Sequence, residues 1–392
     1  MKKNGILFRA ASGLLAAALT LSLTACGGSS SNSDASAAAD SGATHLRLIY
    51  SPSLCAAPMY IAIENGYFED EGLDIEQVTV DAAHVSEAIG ADQVDVGMGL
   101  IGKMLQPLEN GLPIKFTTGL HTGCTKLLVP GDSDIKSVAD LKGKKIGVPG
   151  LADAATVISK RSLSAAGISV TDQNMEVEFS VYSRNDLAQA LQNGAVDAIA
   201  LGDPAASIAE EQYGLTALID TATDPEYKDE YCCAAFVTSK LAEENPKAAA
   251  AFTRAVQKAS QWVQENPDET AKIITEKEYV SGDVDFCAQI LKTYNYKPSV
   301  QGGYDALTQN AEELTQIGVL KEGTDATKFA DNAYIFFDDV PDAPESDAST
   351  DTATKSTKAS SASFQPAAAA EAEDDCCSGK VVRPAKAADA KA

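Results

Sequence analysis

From His45 to Gly214 the chain alternates between short β-patterned runs and longer helical ones, and no other feature constrains its fold as strongly. HLRLIY (45–50), LDIEQVTV (73–80), VDVGMG (94–99), IKFTTGLHTG (114–123), KKIGVPG (144–150), MEVEFSVY (175–182) and VDAIALG (196–202) read as strands. They are short, apolar and closed by turn-forming residues. Helical spacing fills the gaps: APMYIAIENGYF (57–68) closed by Gly66, His84 to Ile89, LIGKMLQPLENG (100–111) with Pro107 as a kink or a stop, ADAATVISKRSLSAAG (152–167), RNDLAQALQNG (184–194) and DPAASIAEEQYG (203–214). Strands separated by helices run largely parallel, which predicts an α/β protein. From Asn245 onward only helical patterns remain. Phe252, Val256, Ala259 and Val263 form one stripe, and Cys287 shares another with Val284 and Leu291, as a core residue would.

An internal echo refines this. VDVGMGL, a helix and GLPIKF (94–116) are mirrored by VDAIALG, a helix and GLTAL (196–218). Each half therefore reads as one α/β sheet with glycine-bearing turns after its strands. Ligands of open α/β sheets sit at the carboxyl ends of such strands, so two facing sheets make a cleft. With 392 residues, 45% of them apolar, the chain is long enough for two cores.

The ends read differently. MKKNGILFRAASGLLAAALTLSLTAC has a basic start (Lys2, Lys3, Arg9), an apolar stretch short of the roughly 20 residues of a membrane span, and small residues before Cys26. Leu23-Thr24-Ala25-Cys26 resembles a bacterial lipobox, which predicts a signal peptide over 1–26, a lipid anchor on Cys26 and a flexible tether over 27–43. The protein is then expected outside the cytoplasmic membrane, lipid-anchored to it. Residues 338–392 lack apolar periodicity and are rich in Ala, Ser and Asp, so they are expected to be a disordered acidic tail containing Cys376 and Cys377. A formal charge of −25, from 31 basic and 56 acidic residues, argues against nucleic acid as a partner.

CAAPMYIAIENGYFEDEGLDIE (55–76), VDVGMG (94–99), DLKGKKIGVPG (140–150) and VDAIALGDP (196–204) together resemble the substrate-binding lipoproteins of nitrate/sulfonate/taurine-type ABC importers. That resemblance implies the type II periplasmic-binding-protein fold, in which two α/β lobes joined by two crossing strands close on a small ligand. It places lobe 1 at 44–125 plus 234–337 and lobe 2 at 126–233. It implies a monomeric, non-enzymatic protein that needs no cofactor, captures a small anionic or zwitterionic solute and passes it to ABC permease subunits. The chain has no GxxxxGK[ST] phosphate loop, so the energy for import belongs to another polypeptide.

The matched pieces form plausible binding loops. SPSLCAAP (51–58) carries Ser53, Cys55 and Pro58; Gly99 and Leu100 end a strand; VPGLADAA (148–155) carries Gly150 and Asp153. Asp203 is expected to be an N-cap with Pro204 at N1, serving the helix alone or also an N–H-bearing part of the ligand. In the implied fold, HTGC (121–124) and Tyr231-Cys232-Cys233 flank the crossing strands, so His121, Thr122, Cys124, Tyr231 and Cys232 join the ligand-binding set as cleft wall. Strand alternation predicts that only one of Cys232 and Cys233 faces the cleft. Two alternatives stay open for the convergence of His121, Cys124, Cys55 and Cys232. One is a metal site, although no CxxC or HExxH spacing supports it; the other is a disulfide of Cys55 with Cys124 or Cys232. A competing reading of the whole chain is a metal- or thiol-dependent enzyme or sensor on the same fold, like the thiamine-pyrimidine synthases. The Cys232-Cys233 pair is shorter than their cysteine motif and has no adjacent histidine.

Overall fold

The computed structural model describes residues 42–80 and 84–344. The signal-like segment with Cys26, the tether up to residue 41, and the tail with Cys376 and Cys377 lie outside the described residues. Among the described residues no helix is long and apolar enough to cross a membrane.

The chain begins with β1 (Thr44–Tyr50), α1 (Ala57–Glu64), α2 (Tyr67–Asp70), β2 (Leu73–Thr79), α3 (Val85–Gly90), β3 (Val96–Leu100), α4 (Ile101–Glu109) and β4 (Ile114–Thr122). It continues with β5 (Thr125–Pro130), β6 (Lys145–Val148), α5 (Ala154–Ala165), the small pair β7 (Val170–Thr171) and β8 (Asn174–Met175), β9 (Glu178–Val181), α6 (Arg184–Gln192), β10 (Ala198–Gly202), α7 (Ala205–Tyr213) and β11 (Leu215–Asp220). Then come β12 (Tyr231–Thr238) and the helices α8 (Ser239–Glu244), α9 (Pro246–Glu265), α10 (Pro267–Glu276), α11 (Val284–Leu291), α12 (Val300–Gln316) and α13 (Ala326–Ala333).

The strands form two five-stranded sheets, ordered β2-β1-β3-β12-β4 and, read from the other edge, β9-β6-β10-β5-β11. The two orders are the same arrangement twice. In each, three neighbouring strands run parallel and the fourth is antiparallel to both of its neighbours. That fourth strand is the one arriving from the other sheet: β5 directly follows β4, and β12 follows β11. The sequence echo is thus a structural one, with β3-α4-β4 and β10-α7-β11 in matching positions. The expectation of largely parallel sheets holds except at these two crossing strands.

Helices cover both faces of the first sheet, with α1, α9, α10 and α11 in one apolar cluster and α4, α12 and α13 in another. The second sheet likewise has a cluster on each face. A strand covered on both faces needs continuous apolar residues, which explains why every residue of β10 is buried.

Three local expectations change. The single helix expected over 57–68 is two, because Gly66 takes a left-handed φ of 73° between α1 and α2. Pro107 sits in the last turn of α4 and the helix ends two residues later, so it acts as a stop. Residues 338–344, read from the sequence as tail, are fastened to the body. Asp339 pairs with Arg254 at 2.7 Å, and Asp342 accepts hydrogen bonds from Ser299 Oγ (2.9 Å) and the Gln301 amide (2.7 Å) at the start of α12.

The α12 helix lies directly on the β4 backbone. A Cβ on Gly303 would stand 2.4 Å from the Gly119 nitrogen, and one on Gly302 would stand 2.4 Å from the Tyr231 ring. Backbone cannot move aside as a ring can. Gly303→Ala is therefore expected to cost about 3 kcal/mol, the top of the usual overpacking range, and Gly302→Ala about 1 kcal/mol. Urea unfolding midpoints will test this, and the Gly302→Ala cost should vanish in a Tyr231→Ala background.

Candidate functional site

Two strand ends build the site. β4 pairs with β12, bringing Thr122 opposite Tyr231 and His121 opposite Cys233. At Gly123 the chain turns out of the first sheet with φ 73°, and a Cβ there would be 2.6 Å from Ala222 Cα, so only glycine fits. Thr221 secures the turn: its Oγ1 accepts from the amides of Cys124 (3.1 Å) and Thr125 (3.0 Å) and donates to the Thr125 carbonyl.

His121 is fully buried, stacked on Tyr294 with ring centroids 5.1 Å apart and tilted against Tyr296 at 5.0 Å. Its Nδ1 lies 3.3 Å from the Thr122 carbonyl and 3.5 Å from Cys232 Sγ, while its Nε2 has no hydrogen-bond partner among the described residues. Burial pushes the imidazole pKa down to about 4, so the ring is neutral at physiological pH.

Sulfur surrounds it. Cys124 Sγ and Cys232 Sγ are 3.3 Å apart. The donor atoms of His121, Cys232 and Cys233 all lie within 4.8 Å of one another, as do those of Cys55, Cys124 and Cys233. Burial pushes the Cys233 thiol well above its ordinary range, and the neighbouring thiols push it further. Only Cys232 of the adjacent pair lines the cavity described below, as alternation predicts, yet both sulfurs lie within 4.8 Å of the His121 ring nitrogen. From Tyr231 to Cys233 the register advances two residues on β12 against one on β4, so Cys232 is the extra residue of a β-bulge. The expected pairing of Cys55 with Cys124 or Cys232 is not found. Cys55 is in a disulfide, but neither of these residues is its partner.

Beside this cluster lies a narrow cavity of about 30 Å³, walled from both sheets. Leu100, Ile101, Gly102, Tyr231, Cys232 and Asn310 line it from the first; Gly123, Thr125, Ala154, Val157, Ile158, Arg161, Thr221, Tyr227 and Glu230 line it from the crossover and the second. Arg161 dominates its electrostatics. The side chain is 2% exposed, and its Nη1 and Nη2 each donate to Glu230 at 2.7 Å. Its Nε pairs with Glu313 of α12, and Nη1 also reaches Asn310 at 3.3 Å. Burial opposes the charge, but the two carboxylates outweigh it and raise the pKa above the ordinary arginine value. The network ties α5, on the second sheet, to α12, on the first.

Of the residues expected from the sequence, Leu100, Tyr231 and Cys232 line this cavity, while His121, Cys124 and Cys55 belong to the sulfur cluster. The others hold the frame. Ser53 Oγ accepts from the Cys55 amide, Pro58 is buried in the first turn of α1, and Thr122 pairs with Tyr231 and bridges to Asn295. Gly99 opposes Ala234, and the Gly150 carbonyl accepts from Thr156 Oγ1 at 2.6 Å. Asp153 caps α5 through the Ala155 amide and pairs with Arg184 at 3.0 Å.

Asp203 is not the N-cap. Pro204 is, and Asp203 reaches Ser207 from one residue further back, accepting from its amide (2.9 Å) and hydroxyl (2.7 Å). The sequence reading missed Arg161, Glu230 and Asn310, because charged residues on a helix read as solvated. The available signal was that Arg161 lies one turn beyond Val157 on the apolar stripe of α5.

The sequence model of the family described as NMT1/THI5 like matches residues 55–270, more than half of the chain. A putative aliphatic sulfonates-binding protein of Bacillus subtilis is 26% identical over 56% of this chain and 66% of its own length. A formylaminopyrimidine-binding protein of Halalkalibacterium halodurans is 24% identical over 55% of this chain and 64% of its own. The chain thus spans just under two thirds of the length of these relatives, both of which are named as binding proteins. Among solved structures, the periplasmic aliphatic sulphonate binding protein of Escherichia coli superposes with a TM-score of 0.61 at 20% identity, covering 74% of this chain and 99% of that one. The fold is therefore the periplasmic-binding-protein fold.

Two outcomes are expected from the site's charges. Arg161→Met leaves Glu230 and Glu313 facing each other without their cation and should cost about 3–5 kcal/mol in chemical denaturation. Burial raises the Asp203 pKa, against the pull of Lys126. A carboxyl raised on folding contributes its full stability below the unfolded carboxylate range and loses it as pH rises through the folded value. Asp203→Asn keeps an acceptor for Ser207, so its unfolding free energy should gain on the parent's as pH goes from about 4 to 7.

Proposed function

Because the chain belongs to the NMT1/THI5-like family and holds a cavity walled from both of its sheets, we propose that it is the solute-binding component of an ABC import system. The cavity carries this reading: it lies at the crossing strands, where relative rotation of the sheets would open it, and an ion network already spans it. Capture closes the two halves on the solute, and the closed form docks on a separate permease. On this reading β5 opens the second lobe and β12 returns the chain to the first. The lipobox-like Leu23-Thr24-Ala25-Cys26 supports an anchored, extracytoplasmic protein.

The lining narrows the solute. Its cation, Arg161, is already committed to two carboxylates, so a free anion such as nitrate finds no unpaired positive charge there. The walls are otherwise aliphatic, with hydroxyls from Thr125, Thr221 and Tyr227 and acceptors from Glu230 and Asn310. This composition suits a compact organic molecule that presents N–H donors and a carbonyl, and it shifts the expectation from an anion toward a neutral or zwitterionic nitrogen compound.

Calorimetry on the full-length protein with three solute classes tests this: alkanesulfonates, nitrate, and formylated or amino-substituted pyrimidines. One-to-one binding confined to the N–H-bearing class is expected. Ile158→Trp, which fills the cavity from α5, should weaken that binding by at least about tenfold, or roughly 1.4 kcal/mol. Binding that is indifferent to Ile158→Trp would place the solute elsewhere and sink the proposal.

A further inference from the structure

The sulfur cluster is not needed to wall the cavity. Only Cys232 of its members lines that space, and the rest lie behind it in the closed interior. Four donors converge there from two strands and one turn: His121 from β4, Cys124 from the Gly123 turn, and Cys232 and Cys233 from the bulge of β12.

The spacing is that of a metal shell. Around a tetrahedral zinc ion with Zn–S near 2.3 Å and Zn–N near 2.0 Å, thiolate sulfurs stand about 3.8 Å apart and a sulfur stands about 3.6 Å from the ligating nitrogen. Cys124 and Cys232 are at 3.3 Å and Cys232 and His121 Nδ1 at 3.5 Å, while the Cys233 sulfur completes both groups within 4.8 Å. His121, Cys232 and Cys233 form one three-donor group, and Cys124 joins it through its 3.3 Å contact with Cys232.

The bulge supports the same conclusion. A regular strand would send one of two adjacent cysteines away; the extra residue in β12 brings both to one point. The imidazole is also under-satisfied. The contacts of Nδ1, the nitrogen that faces Cys232, are long, at 3.3 Å to the Thr122 carbonyl and 3.5 Å to the sulfur. Such a deficit is uncommon in a finished interior.

We infer that His121, Cys124, Cys232 and Cys233 form a Cys3His site for a thiophilic d10 metal ion of the zinc class, seated at the junction of the two sheets. Cys55 shares the cluster, but its sulfur is committed to a disulfide, and the set is complete without it. Binding replaces three S–H protons, released to solvent, with three metal–sulfur bonds. The ion joins the turn that leaves the first sheet to the strand that returns to it, so it fixes the hinge rather than the solute.

The test uses the full-length protein, purified anaerobically without reductant so that the Cys55 disulfide persists, stripped with a chelator, and titrated with Zn2+ against a chromogenic chelator and with Co2+ alone. One equivalent is expected, with thiolate-to-cobalt charge transfer and the visible bands of a tetrahedral ion. Cys124→Ser and Cys232→Ser should each weaken Zn2+ binding by at least about 10–100-fold, the loss that follows even removal of an outer partner of a metal ligand. Cys287→Ser, buried outside the cluster, should leave it unchanged.

Cys232 is only half-buried, so Cys232→Ser is the variant best placed to fold. Circular dichroism of each variant separates lost binding from lost structure. A cobalt complex without tetrahedral bands, or one insensitive to both substitutions, would overturn the inference. So would a Cys124–Cys232 disulfide in the peptide map of protein purified without reductant. No solute enters these measurements, so their outcome is independent of the import proposal.

Discussion

The pairing of β4 with β12 brings residues separated by more than a hundred positions to one junction, and the rest of the molecule is arranged around it. The pairing fixes where the chain leaves the first sheet and where it re-enters. Gly123 is the only residue type that can make the exit, since its φ is positive and Ala222 fills the space a side chain would need. Thr221 then holds the departing strand by three hydrogen bonds from one hydroxyl. Cavity and sulfur cluster both follow from this junction, one on its open side and one on its closed side.

Arg161, in the cavity wall, and Lys126, on β5, are both buried with carboxylate partners built in. Arg161 is surrounded by Glu230, Glu313 and Asn310, and Lys126 is paired with Glu210 at 2.7 Å and with Asp220 at 3.5 Å. A buried ion left alone would cost several kcal/mol, so such networks are closed or absent. The closure of the Arg161 network makes this cavity a poor trap for a bare anion and a better one for a molecule with its own donors. It also joins α5 to α12, so the contact that neutralises the cavity is a contact between the two halves.

The histidine and the cysteines were visible in the sequence as residue types, and HTGC and YCC pointed to one junction once a fold was assumed. Their arrangement was not visible. Alternation along a strand is the only rule a sequence offers for sidedness, and it sent Cys233 away from Cys232. Cys232 alone does line the cavity, but the bulge in β12 draws both sulfurs into one group, and nothing in YCCAAF announces that. The reading of Asp203 failed more mildly: the carboxylate does serve the following helix, from one residue earlier than propensity suggests.

The sequence alone determined the architecture, because strand and helix periodicities are local and their alternation leaves few ways to bury both faces of a sheet. The repeat of VDVGMGL in VDAIALG marked equivalent strands of two equivalent sheets, and the all-helical end beyond Asn245 marked the cover. Only the tertiary structure decided which side chains share a space. Arg161 and Glu313 are 152 positions apart and Cys124 and Cys232 are 108 apart, and no local pattern relates either pair. Such contacts are set by the register of β4 against β12 and by how closely α12 settles on Gly119. Register and closeness are properties of packed backbone, which a single chain's periodicity does not encode.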